Sequence, residues 1–481
     1  MYSFEEFKKN INIKYDNWDD FGYKNTAIIS IDGESASIHI YPNTLSVYND
    51  IKSGKKPVKD FFVLGNREYY ELINSKIDIQ SERVKWYELT NDLAYNTELL
   101  DKYYSNKNFK TKNEFEDPAD ILKRSFMRSI SYTEIVYQLH RMTLGGKYLE
   151  NFKIKIYENE NEFLDINVDP EVDIPENTFG IIGKNGTGKT HLLNNLVKLF
   201  LNEKSTFHVD AEEKDSFFLN KVLHVSYSPF DSLEITEKNN ILYEKIGLIL
   251  DENIEKYKSI SNCLNEDLDR YIRDINVPTN LSYRDFWLEV LNNFSYEEWI
   301  IDFICEVDEI DFINDKEELV KIIGRLSSGQ KIIMLTITKL ILKVREKTLV
   351  LIDEPELFLH PSLAKSYIRA IIQIITRMNG ICVVATHNPL ILQELQTKCI
   401  KITTKRKDCF EIKNLADFNI NSYGESVTVL NSTVFGIDIQ NTGYYQYLTS
   451  LNIDKLKSDK NELQSKLGSE GRILLKSLLG E

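Results

Sequence analysis

Residues 183–190 have the composition and spacing of a loop that binds phosphate groups. They read Gly-Lys-Asn-Gly-Thr-Gly-Lys-Thr, an apolar run at 179–182 precedes them, and a leucine-rich segment follows. Glycine lets backbone N–H groups turn toward an anion, and a helix start adds partial positive charge. Lys189 is expected to reach the β- and γ-phosphates of a nucleotide, and the Thr190 hydroxyl to bind Mg²⁺. The predicted nucleotide-binding residues are Gly183, Lys184, Asn185, Gly186, Thr187, Gly188, Lys189, Thr190 and His191.

Two adjacent carboxylates, Asp353 and Glu354, end a second apolar run, residues 349–352. Such a run is typical of a strand buried on both faces of a parallel sheet, and ligands bind at the carboxyl edge of these sheets. Asp353 is therefore expected to hold Mg²⁺, usually through water, and Glu354 to orient or deprotonate an attacking water. His387 ends another apolar run, residues 383–386. A lone histidine is more often structural than functional, so its role depends on the motifs around it.

Residues 325–331, Arg-Leu-Ser-Ser-Gly-Gln-Lys, offer a second phosphate site, because hydroxyl and N–H groups at a helix start attract anions. The same residues also suit a simple helix N-cap. They differ at one position from the L-S-G-G-Q signature of ATP-binding-cassette (ABC) proteins, and the chain resembles ABC ATPases over roughly residues 150–400. The resemblance implies that His387 contacts the γ-phosphate, which makes Lys189, Glu354 and His387 the catalytic residues. It also implies that the signature closes on a nucleotide of another subunit through Ser327, Ser328, Gly329 and Gln330.

Two segments separate this chain from ABC transporter subunits. Transporters end the strand after the phosphate loop in glutamine, whereas residues 225–231 here read Val-Ser-Tyr-Ser-Pro-Phe-Asp. Residues 356–361 resemble the non-transporter branch that includes the SMC, RecF and OLD-type ATPases. Within that branch, the Ser-Tyr-Ser-Pro-Phe-Asp segment at 226–231, the compact helical lid, and the stretches Tyr-Gly-Glu-Ser at 423–426 and Val-Phe-Gly at 434–436 are similar to those of the stand-alone ATPase of the Septu anti-phage system. This resemblance implies ATP and Mg²⁺ as cofactors, assembly into a homodimer or higher oligomer, and a separate HNH-type nuclease as partner.

The predicted fold class is α/β: a P-loop ABC-ATPase fold with a compact helical insertion, an N-terminal α+β region and a helical C-terminal tail. In the N-terminal region, residues 26–31 and 35–40 predict a hairpin, and residues 58–74, 82–104 and 118–142 predict helices, the last capped by Asp117. Residues 240–253 also have a helical pattern. The predicted divisions are an N-terminal region of unknown role at 1–150, a first ATPase part with the phosphate loop at 151–235, the helical lid at 236–322, a second ATPase part with the signature, acid pair and histidine at 323–415, and a helical C-terminal region at 416–481.

Composition limits the class of protein. The 481 residues are 42% hydrophobic and 28% charged, which is ordinary for a soluble globular protein. A net charge of −15 argues against a protein that coats nucleic acid non-specifically. The five cysteines show no C-x-x-C spacing, which favours reduced thiols over a zinc site or disulfides. No window predicts a membrane span, and the acidic start does not fit a signal peptide. We therefore expect a cytoplasmic protein without membrane contact.

Three functions agree with these motifs. The first is an ATP-hydrolysing subunit that regulates a partner effector, for which the aromatic tail residues Tyr444, Tyr445, Tyr447 and Leu448 are candidate contacts. The second is a DNA-repair ATPase of the RecF or SMC kind that binds DNA directly. Its candidate phosphate contacts are Lys339, Lys343, Arg345, Lys347, Lys405, Arg406 and Lys407. The third and least favoured is the ATPase subunit of a membrane transporter.

Overall fold

The N-terminal region is built on a four-stranded antiparallel sheet. The computed structural model describes residues 2–15, 25–56, 61–104, 118–128, 130, 132, 134–158, 160–170, 172–201, 203–209, 219, 221–227, 242–247, 260–276, 281–310, 316–406, 409–435, 443–452, 458 and 460–479. The strands, in sheet order, are β1 Asn12–Tyr15, β2 Thr26–Ile31, β3 Glu34–Tyr41 and β4 Phe62–Gly65. The predicted hairpin is confirmed, since β2 and β3 pair antiparallel around Asp32 and Gly33, which have φ angles of 52° and 83°.

The helices of this region are shorter than the helical patterns predicted. They are Phe4–Asn10, Leu45–Ser53, Arg67–Lys76, Gln80–Thr90, Thr97–Tyr104, Pro118–Arg124 and His140–Thr143, with a 3₁₀ turn at Phe126–Arg128 and a π-helix at Glu134–Leu139. The helix predicted over 58–74 is wrong at its start, because Phe62–Gly65 is fully buried and pairs with β3 as a strand. The pattern at 82–104 is broken at Asn91, which ends the first helix in the left-handed conformation. Asp117, the predicted cap, lies outside the described residues.

Aromatic residues form much of the core of this region. Trp86, Tyr69, Tyr70 and Tyr87 are at most 1% exposed, and the three tyrosines lie near the buried carboxyl group of Asp92. The Tyr70 hydroxyl donates to both oxygens of Asp92, at 3.0 and 3.2 Å, and the N–H groups of Ala94 and Tyr95 donate to Oδ1. Burial nevertheless raises the pKa of Asp92 to about 7, because removal from water outweighs these bonds.

A seven-stranded sheet dominates the rest of the chain. Its strands are β7 Thr178–Gly183, β9 Lys221–Ser226, β10 Leu242–Gly247, β11 Thr348–Asp353, β12 Ile381–Thr386, β13 Ile400–Arg406 and β14 Cys409–Asn414. A smaller sheet contains β5 Phe152–Glu158, β6 Asn161–Val168 and β8 Phe207–Val209. The large sheet has the order β10-β9-β11-β12-β7-β13-β14 and is parallel except for β14. Its strands are continuous apolar runs because both faces are covered: Ile181 packs into one core and Ile182 into the other.

One face of this sheet carries the helix Lys189–Phe200 and the small antiparallel sheet β6-β5-β8. The other face carries the helix Pro361–Arg377 and the helix Ser328–Lys343, which we call the signature helix. Every residue of the signature helix from 331 to 341 is buried, because helices Ile260–Asn276 and Leu281–Leu291 of the insertion and helix Pro361–Arg377 pack against it. The insertion also contains helices Glu298–Asp308 and Lys316–Arg325. The indole N–H of Trp287 donates to Thr338 Oγ1 at 3.0 Å and links the insertion to this helix.

The helix predicted over residues 240–253 is wrong where the structure describes it. Leu242–Gly247 forms the edge strand β10, which pairs in parallel with β9 along its whole length. Ile246 is fully buried, and Glu244 forms an ion pair of 2.8 Å with Lys221 of β9. Residues 242–247 therefore extend the large sheet and do not belong to a helical lid.

The C-terminal part is helical in its described residues. It contains helices Val427–Phe435, Gly443–Ser450, Lys460–Lys466 and Ser469–Leu479, after the short helix Pro389–Leu392 that follows β12. No helix in the described ranges combines the length and the apolarity needed to cross a membrane.

Candidate functional site

The phosphate loop joins β7 to the helix Lys189–Phe200, and its shape depends on glycine. Gly186 and Gly188 have φ angles of 78° and 87°, a conformation that other residues adopt only with strain. At Gly183 a Cβ atom would lie 2.2 Å from Thr403 Oγ1 and 2.6 Å from Thr187 Oγ1, so a larger residue would collide with both. The loop is therefore packed tightly against β13.

The side chain of Lys189 lies inside this loop. Its Nζ donates to the carbonyl oxygens of Gly183 at 3.1 Å and Lys184 at 3.3 Å, and the residue is 5% exposed. Thr187 Oγ1 donates to the Lys184 carbonyl at 2.8 Å and lies 2.9 Å from Thr403 Oγ1. The ammonium group thus sits at the centre of the curved backbone, where an incoming phosphate would be neutralised. His191 is exposed, and its ring nitrogens lie 3.1 and 3.3 Å from Asn195 Nδ2.

The two predicted magnesium ligands are in contact. Thr190 Oγ1 donates to Asp353 Oδ2 at 2.7 Å, although 163 positions separate the residues in the chain. The contact exists because β11 and β7 are parallel strands of one sheet, with β12 between them, and both end at the same edge. A hydroxyl and a carboxylate are the oxygen ligands that Mg²⁺ prefers beside substrate phosphates. Thr190 and Asp353 would hold such an ion, which would supply positive charge beside the phosphate groups of a nucleotide.

Glu354 and His387 also meet at this edge. Glu354 has a φ angle of 47°, unusual for a residue other than glycine, and its N–H donates to the Ala385 carbonyl at 2.8 Å. His387 Nδ1 lies 3.5 Å from Glu354 Oε1 and 3.2 Å from Glu356 Oε1. Glu354, Glu356 and His387 therefore lie together at the carboxyl ends of β11 and β12. Strand β12 pairs with β7, which leads into the phosphate loop.

Glu356 was not among the predicted site residues. Its side chain is 6% exposed, and its Oε1 accepts hydrogen bonds from Thr386 Oγ1 at 2.6 Å and from the His387 N–H at 2.9 Å. The signal in the sequence is a third acid two positions after Glu354, in Asp-Glu-Pro-Glu. It was missed because an acid in a turn usually faces solvent.

The signature residues lie at the start of the signature helix. Ser327 is the N-cap, and it exchanges two hydrogen bonds with Gln330: the Gln330 N–H donates to Ser327 Oγ at 3.4 Å, and the Ser327 N–H donates to Gln330 Oε1 at 2.7 Å. Gly329 lies against the loop after the acid pair, since a Cβ atom there would be 2.8 Å from the Phe358 carbonyl oxygen. Ser327 and Ser328 are exposed. Within the described residues, no hydrogen bond or ion pair joins these four residues to the phosphate loop of the same chain.

Strand β9 ends beside the acid pair without the glutamine of transporters. Ser226 is in register with Asp353, and both lie at the carboxyl edge. The next residue, Tyr227, turns inward: its hydroxyl lies 2.8 Å from Thr336 Oγ1 of the signature helix and is buried. This strand end therefore connects the site to the signature helix through a tyrosine.

Comparisons with known proteins show which families and relatives the chain is similar to. The family described as "AAA domain, putative AbiEii toxin, Type IV TA system" matches residues 251–393, which contain the signature, the acid pair and the histidine. The chain is 28% identical over 398 residues to "Protein ea59" of Escherichia phage lambda, covering 75% of this chain and 74% of that protein. It is 23% identical over 285 residues to "Probable ABC transporter ATP-binding protein p29" of Mesomycoplasma hyorhinis, covering 57% of this chain and 96% of that protein.

Among solved structures, an ABC transporter of the metal-chelate type in an inward-facing conformation matches 56% of this chain and 85% of its own, at 15% identity and a TM-score of 0.28. The parallel strand order and the phosphate loop between β7 and the helix Lys189–Phe200 show an α/β P-loop fold, and the sequence is similar to that of an ABC-type ATPase.

Proposed function

We propose that the protein hydrolyses ATP with Mg²⁺, and that ATP-dependent pairing of two copies controls a separate effector of a bacterial anti-phage system, an HNH-type nuclease. The observation that carries the hydrolysis is the contact between Thr190 and Asp353 at 2.7 Å, with Glu354 and His387 at the same sheet edge. Oxygen ligands for the metal, a carboxylate for the attacking water and a cationic loop are the parts that phosphoryl transfer requires. Glu354 is the base in this proposal, and Lys189 and His387 stabilise the developing charge.

The exposed signature supports pairing of two copies. Ser327 and Ser328 offer hydroxyl groups at a helix start, yet they make no bond to the phosphate loop of their own chain within the described residues. A second copy would bring a bound γ-phosphate to this helix start. Phe358, which is 58% exposed and borders Gly329, adds an apolar side chain to the same surface.

The anti-phage role draws on the resemblance of residues 225–231 and on the relatives. The matched family is described as a toxin of a toxin–antitoxin system, and one relative belongs to a bacteriophage. Both fit a function in the conflict between bacteria and phages. The resemblance to Septu-type ATPases supports regulation of a nuclease. Of the predicted partner contacts, Tyr444 and Tyr447 are 42% and 63% exposed, whereas Leu448 is 2% exposed and is too deeply buried to contact a partner.

Direct DNA binding is less well supported by the packing of three of the seven basic residues proposed for it; of the other four, Lys405 is exposed and Lys407 lies outside the described residues. Lys339 is 4% exposed and forms an ion pair of 3.0 Å with Asp267, and Lys343 lies 3.6 Å from Glu244. The Arg345 guanidinium donates to the backbone carbonyls of residues 341, 342 and 344. These side chains are engaged within the protein and offer little to a DNA phosphate.

The test uses the full chain and Glu354→Gln. We expect the wild type to release phosphate from MgATP, and the variant to bind ATP, hydrolyse it at least about a hundredfold more slowly and accumulate as a dimer in light scattering. Turnover unchanged by Glu354→Gln would overturn the assignment of the base, and a monomer with ATP would overturn the pairing. Co-expression with the genomic neighbours, followed by mass spectrometry of the purified complex, tests the effector. Recovery of the chain alone, with ATP-dependent DNA binding, would favour the repair function instead.

A further inference from the structure

Glu356 occupies a buried position directly behind the nucleotide site. It lies in the turn that follows β11, where the Leu357 N–H donates to the Glu354 carbonyl and the Leu359 N–H donates to the Glu356 carbonyl, both at 3.0 Å. Its Oε2 is buried and has no hydrogen-bond partner in the described part of the chain. A buried carboxylate is costly unless donors compensate it, so the partners of its other oxygen must account for its presence.

Those partners all belong to the end of β12. Glu356 Oε1 accepts from Thr386 Oγ1 at 2.6 Å and from the His387 N–H at 2.9 Å, and it lies 3.2 Å from His387 Nδ1. The Thr386 hydroxyl also accepts a hydrogen bond from the Asn388 N–H at 2.9 Å. One carboxylate oxygen thus organises both the backbone and the side chain of the segment that carries His387.

Two carboxylate oxygens lie beside the Nδ1 side of the imidazole. Glu356 Oε1 is 3.2 Å and Glu354 Oε1 is 3.5 Å from His387 Nδ1, and both are close charge contacts that are not among the hydrogen bonds of the described residues. Electron-rich oxygen atoms at these distances repel the lone pair of a ring nitrogen and attract a ring N–H, so they favour the proton on Nδ1 and leave Nε2 as the ring nitrogen for a ligand. A carboxylate that fixes the tautomer and orientation of a functional histidine is a recurrent arrangement in protein sites.

We propose that Glu356 is a positioning residue for ATP hydrolysis: it holds His387 with Nδ1 protonated and Nε2 available to the γ-phosphate, and thereby leaves Glu354 for the attacking water. This inference rests on the proposed ATPase activity. It separates two neighbouring acids by role, since Glu354 is 32% exposed in its side chain and reaches the site, whereas Glu356 is 6% exposed and acts through the histidine.

The decisive variant is Glu356→Gln. An amide oxygen can still accept from Thr386 and from the His387 N–H, so the turn keeps its shape, but the negative charge that holds the proton on Nδ1 is gone. Thr386→Val is the matched control, because it removes one hydrogen bond to Glu356 and keeps the carboxylate. Thermal melts of both variants report whether the fold is retained.

Two measurements on the full chain test the proposal. Steady-state hydrolysis of MgATP should show a kcat about 10–100-fold lower for Glu356→Gln with KM within about threefold, and a much smaller loss for Thr386→Val. Long-range ¹⁵N–¹H spectra of the seven histidines, with His387 assigned through His387→Gln, should show the Nδ1–H tautomer in the wild type and a shift toward Nε2–H in Glu356→Gln.

An unchanged His387 tautomer in Glu356→Gln, or a kcat equal to the wild type, would overturn the inference. If the wild type itself hydrolyses no ATP, the proposed function fails, and the tautomer measurement still decides whether Glu356 controls His387. The two failures are therefore distinguishable.

Discussion

The guanidinium of Arg141 forms a two-bond ion pair with the carboxylate of Glu346, across 205 positions of the chain. The NH1–Oε2 distance is 3.1 Å and the NH2–Oε1 distance is 3.0 Å. Arg141 belongs to the last helix of the N-terminal region, and Glu346 lies in the turn between the signature helix and β11. Asn379 Nδ2 completes the cluster by donating to Glu346 Oε1 and to the Glu150 carbonyl, each at 2.9 Å. The ion pair thus links the N-terminal region to the turn between the signature helix and β11, the strand that carries Asp353.

Removing the arginine should destabilise the protein. Glu346 is 4% exposed in its side chain, so Arg141→Ala removes the guanidinium from a buried carboxylate, to which the neutral Asn379 Nδ2 still donates. We expect a loss of about 2–4 kcal/mol, seen as a lower midpoint in thermal unfolding. Lys321→Ala is the control: its ion pair with Glu318 is 65% and 51% exposed, and its loss should cost less than about 1 kcal/mol. Equal effects of the two variants would contradict a structural role for the buried pair.

Thr190 should determine how tightly the metal is held. Thr190→Val keeps the shape of the side chain and removes the hydroxyl that contacts Asp353. The Mg²⁺ concentration for half-maximal ATP hydrolysis is expected to rise about tenfold or more, because one oxygen ligand is lost. Thr190→Ser keeps the hydroxyl and should behave nearly as the wild type. A magnesium titration with equal midpoints for valine and serine would remove Thr190 from the metal site.

Phe358 should matter to pairing more than to folding. Its φ angle is 74° and it is 58% exposed, so Phe358→Gly relieves backbone strain while it removes an apolar contact surface. We expect the thermal stability of the monomer to stay equal or to rise by up to about 1 kcal/mol. In the Glu354→Gln background, the ATP-dependent dimer should dissociate at about tenfold higher protein concentration. Leu45→Ala, which removes a 75% exposed side chain from the N-terminal region, should leave the dimer intact, and a dimer equally stable in both variants would exclude Phe358 from the interface.

Asp92 should make the stability of the N-terminal region depend on pH. Its folded-state pKa of about 7 lies above the ordinary value of 3.8, so its contribution is fully present below about pH 4 and is lost as the pH rises through 7. Between about pH 5 and pH 8 the wild type should lose about 1–3 kcal/mol more stability than Asp92→Asn, which does not titrate. Urea unfolding followed by tryptophan fluorescence measures the difference. The exposed Asp78→Asn should follow the wild type, and identical pH profiles for Asp92→Asn and the wild type would refute the assignment.

The parts of the site that could be predicted are those that a local pattern encodes. The phosphate loop has eight constrained positions, and the strands that carry Asp353 and His387 are apolar runs that occur only when both faces are covered. Because parallel strands end at one edge, the contact of Thr190 with Asp353 followed from the fold class. The proximity of Thr190 and Asp353, which are 163 positions apart, could therefore be predicted from the sequence.

The parts that could not be predicted depend on tertiary packing. Glu356 acquires its environment from Thr386 and His387, which are 30 and 31 positions away, and nothing in the turn itself indicates burial. The helical pattern at 240–253 competes with pairing along β9, and the backbone bonds of β10 override it. Similarly, Phe62–Gly65 is too short to show a strand period and is a strand because β3 lies beside it.

The strand order also determines when this site can form during synthesis. Both strands that pair with β7, namely β12 and β13, are encoded about 200 residues after it, so the strand that leads into the phosphate loop emerges long before its neighbours. Closing so long a loop is slow, and the nascent chain must hold an apolar strand without a sheet until residue 381 is available. A fragment that ends before β12 would contain the complete phosphate-loop motif and no folded site. The proposed nucleotide site can therefore form only after residue 381 has been translated, although its phosphate-loop motif ends at residue 190.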